Sequence, residues 1–147
     1  VKSHWDSVEA GAQSVGRTAD RGLWRVAREI YVAETTEIAR KEALEGTITR
    51  DFEDYFLKSL PRMKMLDLMK KDVNMPDSDV TAEYLVDNIF IVGSPDDVAE
   101  KLRRLHEDVG GFGVLLAMGH EWEPRDAWLR SMTLLKQEVM PRLADLA

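Results

Sequence analysis

The sequence contains no cysteine, and this absence removes two kinds of chemistry at once. The chain cannot form a disulfide bond, and it has no thiolate that could act as a nucleophile or a metal ligand. Proteins without disulfides are typical of reducing compartments. We therefore expect a cytoplasmic protein.

Long apolar runs and an excess of positive charge are missing as well. No uninterrupted apolar segment approaches the roughly 18 residues of a membrane-spanning helix. The chain has 20 lysine and arginine residues against 27 aspartate and glutamate residues, which gives a net charge of -7. We therefore expect neither a membrane nor a nucleic acid as a partner.

The short motifs that mark many catalytic sites are also absent. The sequence has no glycine-rich phosphate loop, no nucleophile elbow and no paired metal motif. His4 and His106 lie in predicted helices without a second ligand at metal spacing, so we predict that they are surface residues and that there is no metal site.

What the chain does contain is the composition of one folded domain. Its 147 residues are 44% hydrophobic and 32% charged, which is typical of globular rather than disordered proteins. We treat residues 1–147 as a single segment.

Hydrophobic patterning predicts helices that alternate with strands. Residues 24–33 are rich in β-branched and aromatic side chains and form the first predicted strand. Residues 112–118 are continuously apolar, which predicts a second strand buried on both faces. Ser94 followed by Pro95 predicts a helix start, and Gly110 predicts its end. The order predicts an α/β fold with parallel strands.

Two strands are too few for a sheet with its own core. The chain also starts at Val1 rather than at methionine. We therefore expect that it is a piece of a longer protein, whose remaining strands lie upstream or come from another chain.

Polar residues follow the second predicted strand directly, in Gly119-His120-Glu121-Trp122. In folds with parallel strands, ligands bind at the carboxyl ends of the strands. His120 is therefore a candidate proton donor or hydrogen-bond partner, Glu121 could orient it, and Trp122 could wall an apolar ligand. The alternative is that His120 and Glu121 are ordinary loop residues and that Trp122 covers the end of the fold.

Arg28 and Glu29 are two charged residues inside the first predicted strand. If that strand is buried, one of them points inward and requires a partner or a ligand. Arg28 is therefore a candidate pocket residue, and the alternative is a structural ion pair.

Three stretches resemble the C-terminal portion of bacterial luciferase-like flavin monooxygenases. They are "IVGSPDDVAEKLRRLHEDVGGFGVLLAMGHEW", "RSMTLLKQEVMPRL" and "IYVAETTEIAR". The order and spacing of these stretches carry the resemblance, which covers the chain except for residues 58–85. The ending Gly119-His120-Glu121-Trp122 is most similar to the limonene-monooxygenase-like branch.

The resemblance implies the C-terminal portion of a TIM (β/α)8 barrel, helix-rich and with few parallel strands. The two predicted strands would be the seventh and eighth of the barrel. Residues 58–85 would lie in the insertion that interrupts the barrel in this family.

For the longer protein, the resemblance implies a flavin-dependent monooxygenase. Reduced FMN, supplied by a flavin reductase, would react with O2 and oxygenate a small organic substrate. The family's fold also serves reductases that use the deazaflavin coenzyme F420, and a flavinless structural or dimerisation subunit is a third interpretation. In the family, most flavin-phosphate contacts and much of the substrate pocket come from earlier strands, so we expect this piece to be inactive alone. A piece of a barrel exposes strand edges and apolar faces, so we also expect it to form a homo-oligomer or retain a partner.

Overall fold

The computed structural model describes residues 2–146, without the side chains of residues 2 and 3. Seven helices lie in this range: α1 (Lys2–Ser14), α2 (Thr36–Glu45), α3 (Thr47–Asp51), α4 (Leu57–Ser59), α5 (Ala82–Asn88), α6 (Pro95–Val109) and α7 (Arg125–Leu134). Wider π-helical turns span Phe52–Phe56 and Leu135–Val139, and 3₁₀ turns span Arg21–Leu23, Leu66–Met69, Asp77–Asp79 and Met140–Leu146. No helix among these residues is long and apolar enough to cross a membrane.

Three parallel strands form the sheet, which confirms the predicted α/β class. They are β1 (Arg25–Val32), β2 (Ile91–Gly93) and β3 (Val114–Met118), in the order β2-β1-β3. The carboxyl half of β1 pairs with β2, with Val32 opposite Gly93. The amino half pairs with β3, with Glu29 opposite Met118. In a complete barrel, each strand lies beside the next strand along the chain. Here β3 lies beside β1, on the edge opposite β2, rather than beside β2.

The strand β2 was not predicted from the sequence. It lies between the two predicted strands along the chain, so these are not consecutive, as seventh and eighth strands would have to be. All three residues of β2 are buried, but three residues are too few to show the hydrophobic period by which a strand is predicted.

The prediction that β3 is buried on both faces is wrong. Leu116 and Met118 are 44% and 40% exposed, and the strand has a hydrogen-bonded neighbour on one edge alone within the described residues. Continuous apolar character indicates what a strand can bury, but the burial itself requires a layer to cover it.

Alternate residues at the end of β1 pack into two separate cores. Ile30 and Val32 face the cluster built from α6 and the last turns of the chain. Tyr31 and Ala33 face a larger cluster that contains Phe52, from the π turn, and Trp128, from α7. The period of two along a strand produces this division, so β1 has one face toward each helical layer.

Local signals set several helix ends as predicted. The hydroxyl of Ser94 accepts a hydrogen bond from the backbone N–H of Asp97, Pro95 is the first residue of α6, and Gly110 ends it with a φ of 77°. Gly46 separates α2 from α3 by an extended conformation. The Pro95 and Gly110 positions follow the usual preference for proline at helix starts and glycine at helix ends.

The region of residues 58–85 contains turns, the end of α4 and the start of α5, and no strand interrupts it in the described chain. The amine of Lys70, whose side chain is 4% exposed, forms ion pairs with Asp67 at 2.8 Å and with Asp77 at 2.6 Å. These contacts hold two 3₁₀ turns together at one side of the larger core.

Candidate functional site

The loop after β3 lies against α3, which places the residues predicted for a site. The Thr47 hydroxyl donates a hydrogen bond to the backbone carbonyl of Glu121 at 2.8 Å. The guanidinium of Arg50 forms an ion pair with the Glu121 carboxylate. Nδ1 of His120 lies 2.8 Å from Oδ2 of Asp51. Three side chains of one short helix thus hold this loop in place.

His120 is the most enclosed polar side chain of the loop. Its side chain is 9% exposed, and its ring centroid lies 6.3 Å from that of Phe52 and 6.5 Å from that of Trp128. Nδ1 is paired with Asp51, but Nε2 is buried without a hydrogen-bond partner among the described residues. A buried polar atom of this kind costs free energy unless a ligand or water satisfies it.

Trp122 is linked to this imidazole through the ring of Trp128 and is open to solvent on one side. Its ring stacks on that of Trp128 with centroids 6.3 Å apart and planes 22° apart. It is 47% exposed, whereas Trp128 is 2% exposed. Trp122 also lines an open depression with Glu121, Glu123 and Arg125. Its exposed ring can therefore form an apolar wall.

The prediction that Glu121 orients His120 is wrong. The Glu121 carboxylate turns toward Arg50, and both side chains are more than half exposed. Asp51 occupies the position expected for the orienting group. No local sequence pattern indicates Asp51, because it lies 69 residues before His120.

Arg28 is not brought together with the other predicted site residues. It lies opposite Ala117 in the middle of β1, and its position in the strand's alternation puts it on the face opposite Tyr31. Burial lowers the pKa of its guanidinium, an effect that neighbouring Glu29 partly offsets. Its NH1 donates to the Ala27 carbonyl at 2.7 Å, and among the described residues it forms no ion pair.

A second polar group, missed in the sequence, joins β1, α2 and α7. The Tyr31 hydroxyl donates to Glu42 at 3.0 Å, and the guanidinium of Arg130 lies 2.5 Å from the same carboxylate. Burial, followed by the hydrogen bond to Glu42, raises the pKa of Tyr31 and keeps it neutral. Glu42 and Arg130 are 88 positions apart, so the sequence alone does not indicate that they form an ion pair.

A cavity of about 270 Å³ lies beside this group, between α2 and the start of α7. The rings of Tyr31 and Trp128 form part of its wall, along with Ile48 and Pro124. Trp128 therefore borders the cavity on one side and contacts His120 and Trp122 on another. Within the described residues, no group of three histidine or acidic side chains is arranged to hold a metal ion.

Chemically, the site offers a positioned imidazole and apolar aromatic walls. The imidazole can exchange a proton or a hydrogen bond with a bound molecule through Nε2. The aromatic rings can exclude water from that contact. Among the residues that the structure describes here, no nucleophile is activated by a neighbouring base, so a bound cofactor would have to supply any demanding chemistry.

The chain is similar to several characterised oxygenases, although no family model matches it. It is 36% identical over 144 residues to 3,6-diketocamphane 1,6-monooxygenase of Pseudomonas putida. The aligned residues cover 97% of this chain and 38% of that enzyme. It is 32% identical over 142 residues to limonene 1,2-monooxygenase of Rhodococcus erythropolis, which covers 96% of this chain and 34% of that enzyme.

One solved structure is similar over nearly the whole fold. It is a type II Baeyer-Villiger monooxygenase, the oxygenating constituent of 3,6-diketocamphane monooxygenase from Pseudomonas putida, in complex with FMN. The TM-score is 0.87 at 36% identity, covering 96% of this chain and 39% of the other. The chain thus spans about two-fifths of the length of this relative. It is a homologue of the luciferase-like, FMN-dependent monooxygenases, and it matches only their C-terminal portion, a part of the TIM barrel.

Proposed function

We propose that this chain is the C-terminal part of a flavin-dependent monooxygenase that oxygenates a small organic substrate with reduced FMN and O2. The observation that carries this proposal is the 36% identity and TM-score of 0.87 to an oxygenase in complex with FMN. The substrates named for the relatives are bicyclic diketones and a monoterpene. These names support a compact apolar substrate for the longer protein.

The residues of the chain fit one side of a flavin or substrate pocket. The buried Nε2 of His120 is a free hydrogen-bonding atom among the described residues. The exposed ring of Trp122 stacks on Trp128, whose ring also lies against His120, and offers an apolar wall. FMN, when bound, supplies the reaction with O2. His120 would hold or move a proton at Nε2, and the aromatic rings would exclude water.

Residues 2–146, as the structure describes them, offer no comparable fit for the phosphate of FMN. The most regular helix start is that of α6, but Asp96 and Asp97 occupy its first turn. Carboxylates at this position satisfy the helix dipole and repel an anion. Phosphate binding therefore belongs to other parts of the longer protein, and we propose that the chain alone is inactive.

Four further features are proposed for the longer protein. A flavin reductase supplies the reduced FMN, the enzyme works in the cytoplasm, and it is a homo-oligomer. Residues 58–85 form part of an insertion outside the repeating strand-helix units. The two ion pairs of Lys70, with Asp67 and Asp77, join residues within this region and support the proposal.

The test uses the longer protein that contains this chain. FMN and the deazaflavin F420 are titrated separately while flavin fluorescence is measured, and product formation is then assayed with each reduced cofactor, O2 and a bicyclic ketone. We expect tight binding of FMN and an oxygenated product. Binding of the deazaflavin alone would replace the proposal with a deazaflavin-dependent reductase, and binding of neither would indicate a structural subunit.

A further inference from the structure

The carboxylate of Asp51 is the group that pairs with the imidazole of His120, the ring whose Nε2 is buried without a partner among the described residues. Oδ2 of Asp51 lies 2.8 Å from Nδ1. Asp51 is the last residue of α3, which is anchored by the buried side chains of Ile48 and Phe52, 1% and 3% exposed. The position of the carboxylate is therefore set by the core rather than by the loop.

The chemistry of this pair decides which nitrogen of His120 carries the proton. The Asp51 side chain is 35% exposed, so it keeps part of the hydration that an ionised carboxylate requires. An ionised carboxylate only accepts hydrogen bonds, so Nδ1 must donate. In the neutral imidazole, Nε2 is then left with a lone pair and no proton.

We infer that Asp51 is the positioning residue of His120, holding the imidazole as the Nδ1-protonated tautomer so that Nε2 acts as a hydrogen-bond acceptor. The group of a bound molecule that meets Nε2 is then an O–H or N–H donor. His120 would accept a proton in the reaction rather than donate one. The role in a reaction depends on the proposed function, but the tautomer does not.

A simpler explanation of the Asp51 contact is that it anchors the loop. The loop does not need Asp51 as an anchor. The same loop is already held by the hydrogen bond from Thr47 to the backbone of Glu121 and by the ion pair of Arg50 with the Glu121 side chain. Neither of these contacts touches the imidazole. The Asp51 contact is the one that determines the orientation and proton position of the ring.

The tautomer can be measured on the longer protein that contains this chain, without any cofactor. In the ¹⁵N-labelled protein, long-range ¹H–¹⁵N correlations give the protonation of each imidazole nitrogen, and the spectrum of the His120→Gln variant assigns the His120 signals. Asp51→Asn removes the obligate acceptor. Asp54→Asn is the matched control, because Asp54 is exposed and its one ion pair within the described part of the chain is with Lys58.

We expect the Nδ1-protonated form of neutral His120 to exceed the other by about tenfold, as a charge-assisted hydrogen bond would produce. Asp51→Asn should abolish this excess, and Asp54→Asn should leave it unchanged. A wild-type protein with the proton on Nε2, or an excess that survives in Asp51→Asn, would overturn the inference. The wild-type spectrum decides the tautomer even if the Asp51 variant does not fold. Because no flavin is present, failure of the proposed monooxygenase function would leave this result unaffected.

Discussion

The backbone N–H of Val32 donates a hydrogen bond to the hydroxyl of Ser131 at 2.8 Å. Both residues are fully buried. β3 pairs with β1 only as far as Glu29, so α7 provides a partner for the edge of β1 that β3 leaves open. The last helix thus completes the hydrogen bonding of the central strand, close to the carboxyl end where the candidate site lies.

Ser131→Ala should destabilise the protein by about 1–3 kcal/mol, because it leaves the buried N–H of Val32 without an acceptor. The free energy of unfolding in urea measures this effect. Thr133→Ala is the control, since Thr133 is an exposed hydroxyl on the same helix, and it should change stability by less than about 0.5 kcal/mol. Equal effects of the two variants would show that the buried hydrogen bond is not important.

The chain alone should not bind FMN tightly, because the acidic first turn of α6 offers no phosphate site. Titration of the purified chain with FMN, followed by flavin fluorescence, measures the dissociation constant. A sub-micromolar value, or oxidation of a ketone by the chain with reduced FMN, would contradict this expectation.

The chain alone should also associate with itself, because β3 leaves an apolar edge uncovered at Leu116 and Met118. Sedimentation velocity should detect dimers or larger species at high concentration. The double variant Leu116→Lys with Met118→Lys should shift the population to monomer. The control is Leu68→Lys, an exposed position in a 3₁₀ turn outside β3, which should not change the population. A compact monomer at high concentration in the wild type would refute the prediction.

Asp97 should make stability dependent on acid pH. A hydrogen bond from Thr36, followed by one from Ser94, lowers the pKa of Asp97. A carboxyl group whose pKa is lower in the folded state stabilises the fold above its unfolded pKa of about 4, and this contribution is lost as the pH falls through the folded value.

The stability difference between the wild type and Asp97→Asn should therefore be constant near neutral pH and shrink below about pH 4. Urea unfolding at a series of pH values measures this difference. Asp108→Asn, an exposed position on the same helix, serves as the control. A difference for Asp97→Asn that grows in acid would contradict the assignment of the hydrogen bonds.

Local features of this fold could be predicted from the sequence, and contacts between distant segments could not. Ser94, Pro95 and Gly110 act within a few residues of one helix end, so their patterns identified α6 correctly. The exposure of Leu116 depends on which layer covers β3, and the hydrophobic pattern contains no such information. The pairing of His120 with Asp51 rather than Glu121 arises from the packing of α3 against the loop, which only the fold reveals.

The most direct test of this account is the change His120→Ala in the longer enzyme, with product formed per reduced FMN consumed as the measurement. His4→Ala is the matched control, because His4 is an exposed histidine on α1. If His120 accepts or transfers a proton at the ligand, product formation should fall by a factor of about 100 or more, and the yield per FMN should fall as well. The control should keep the wild-type values. If His120→Ala also keeps both the rate and the yield, His120 is only a loop residue, and the site proposed at the end of β3 is wrong.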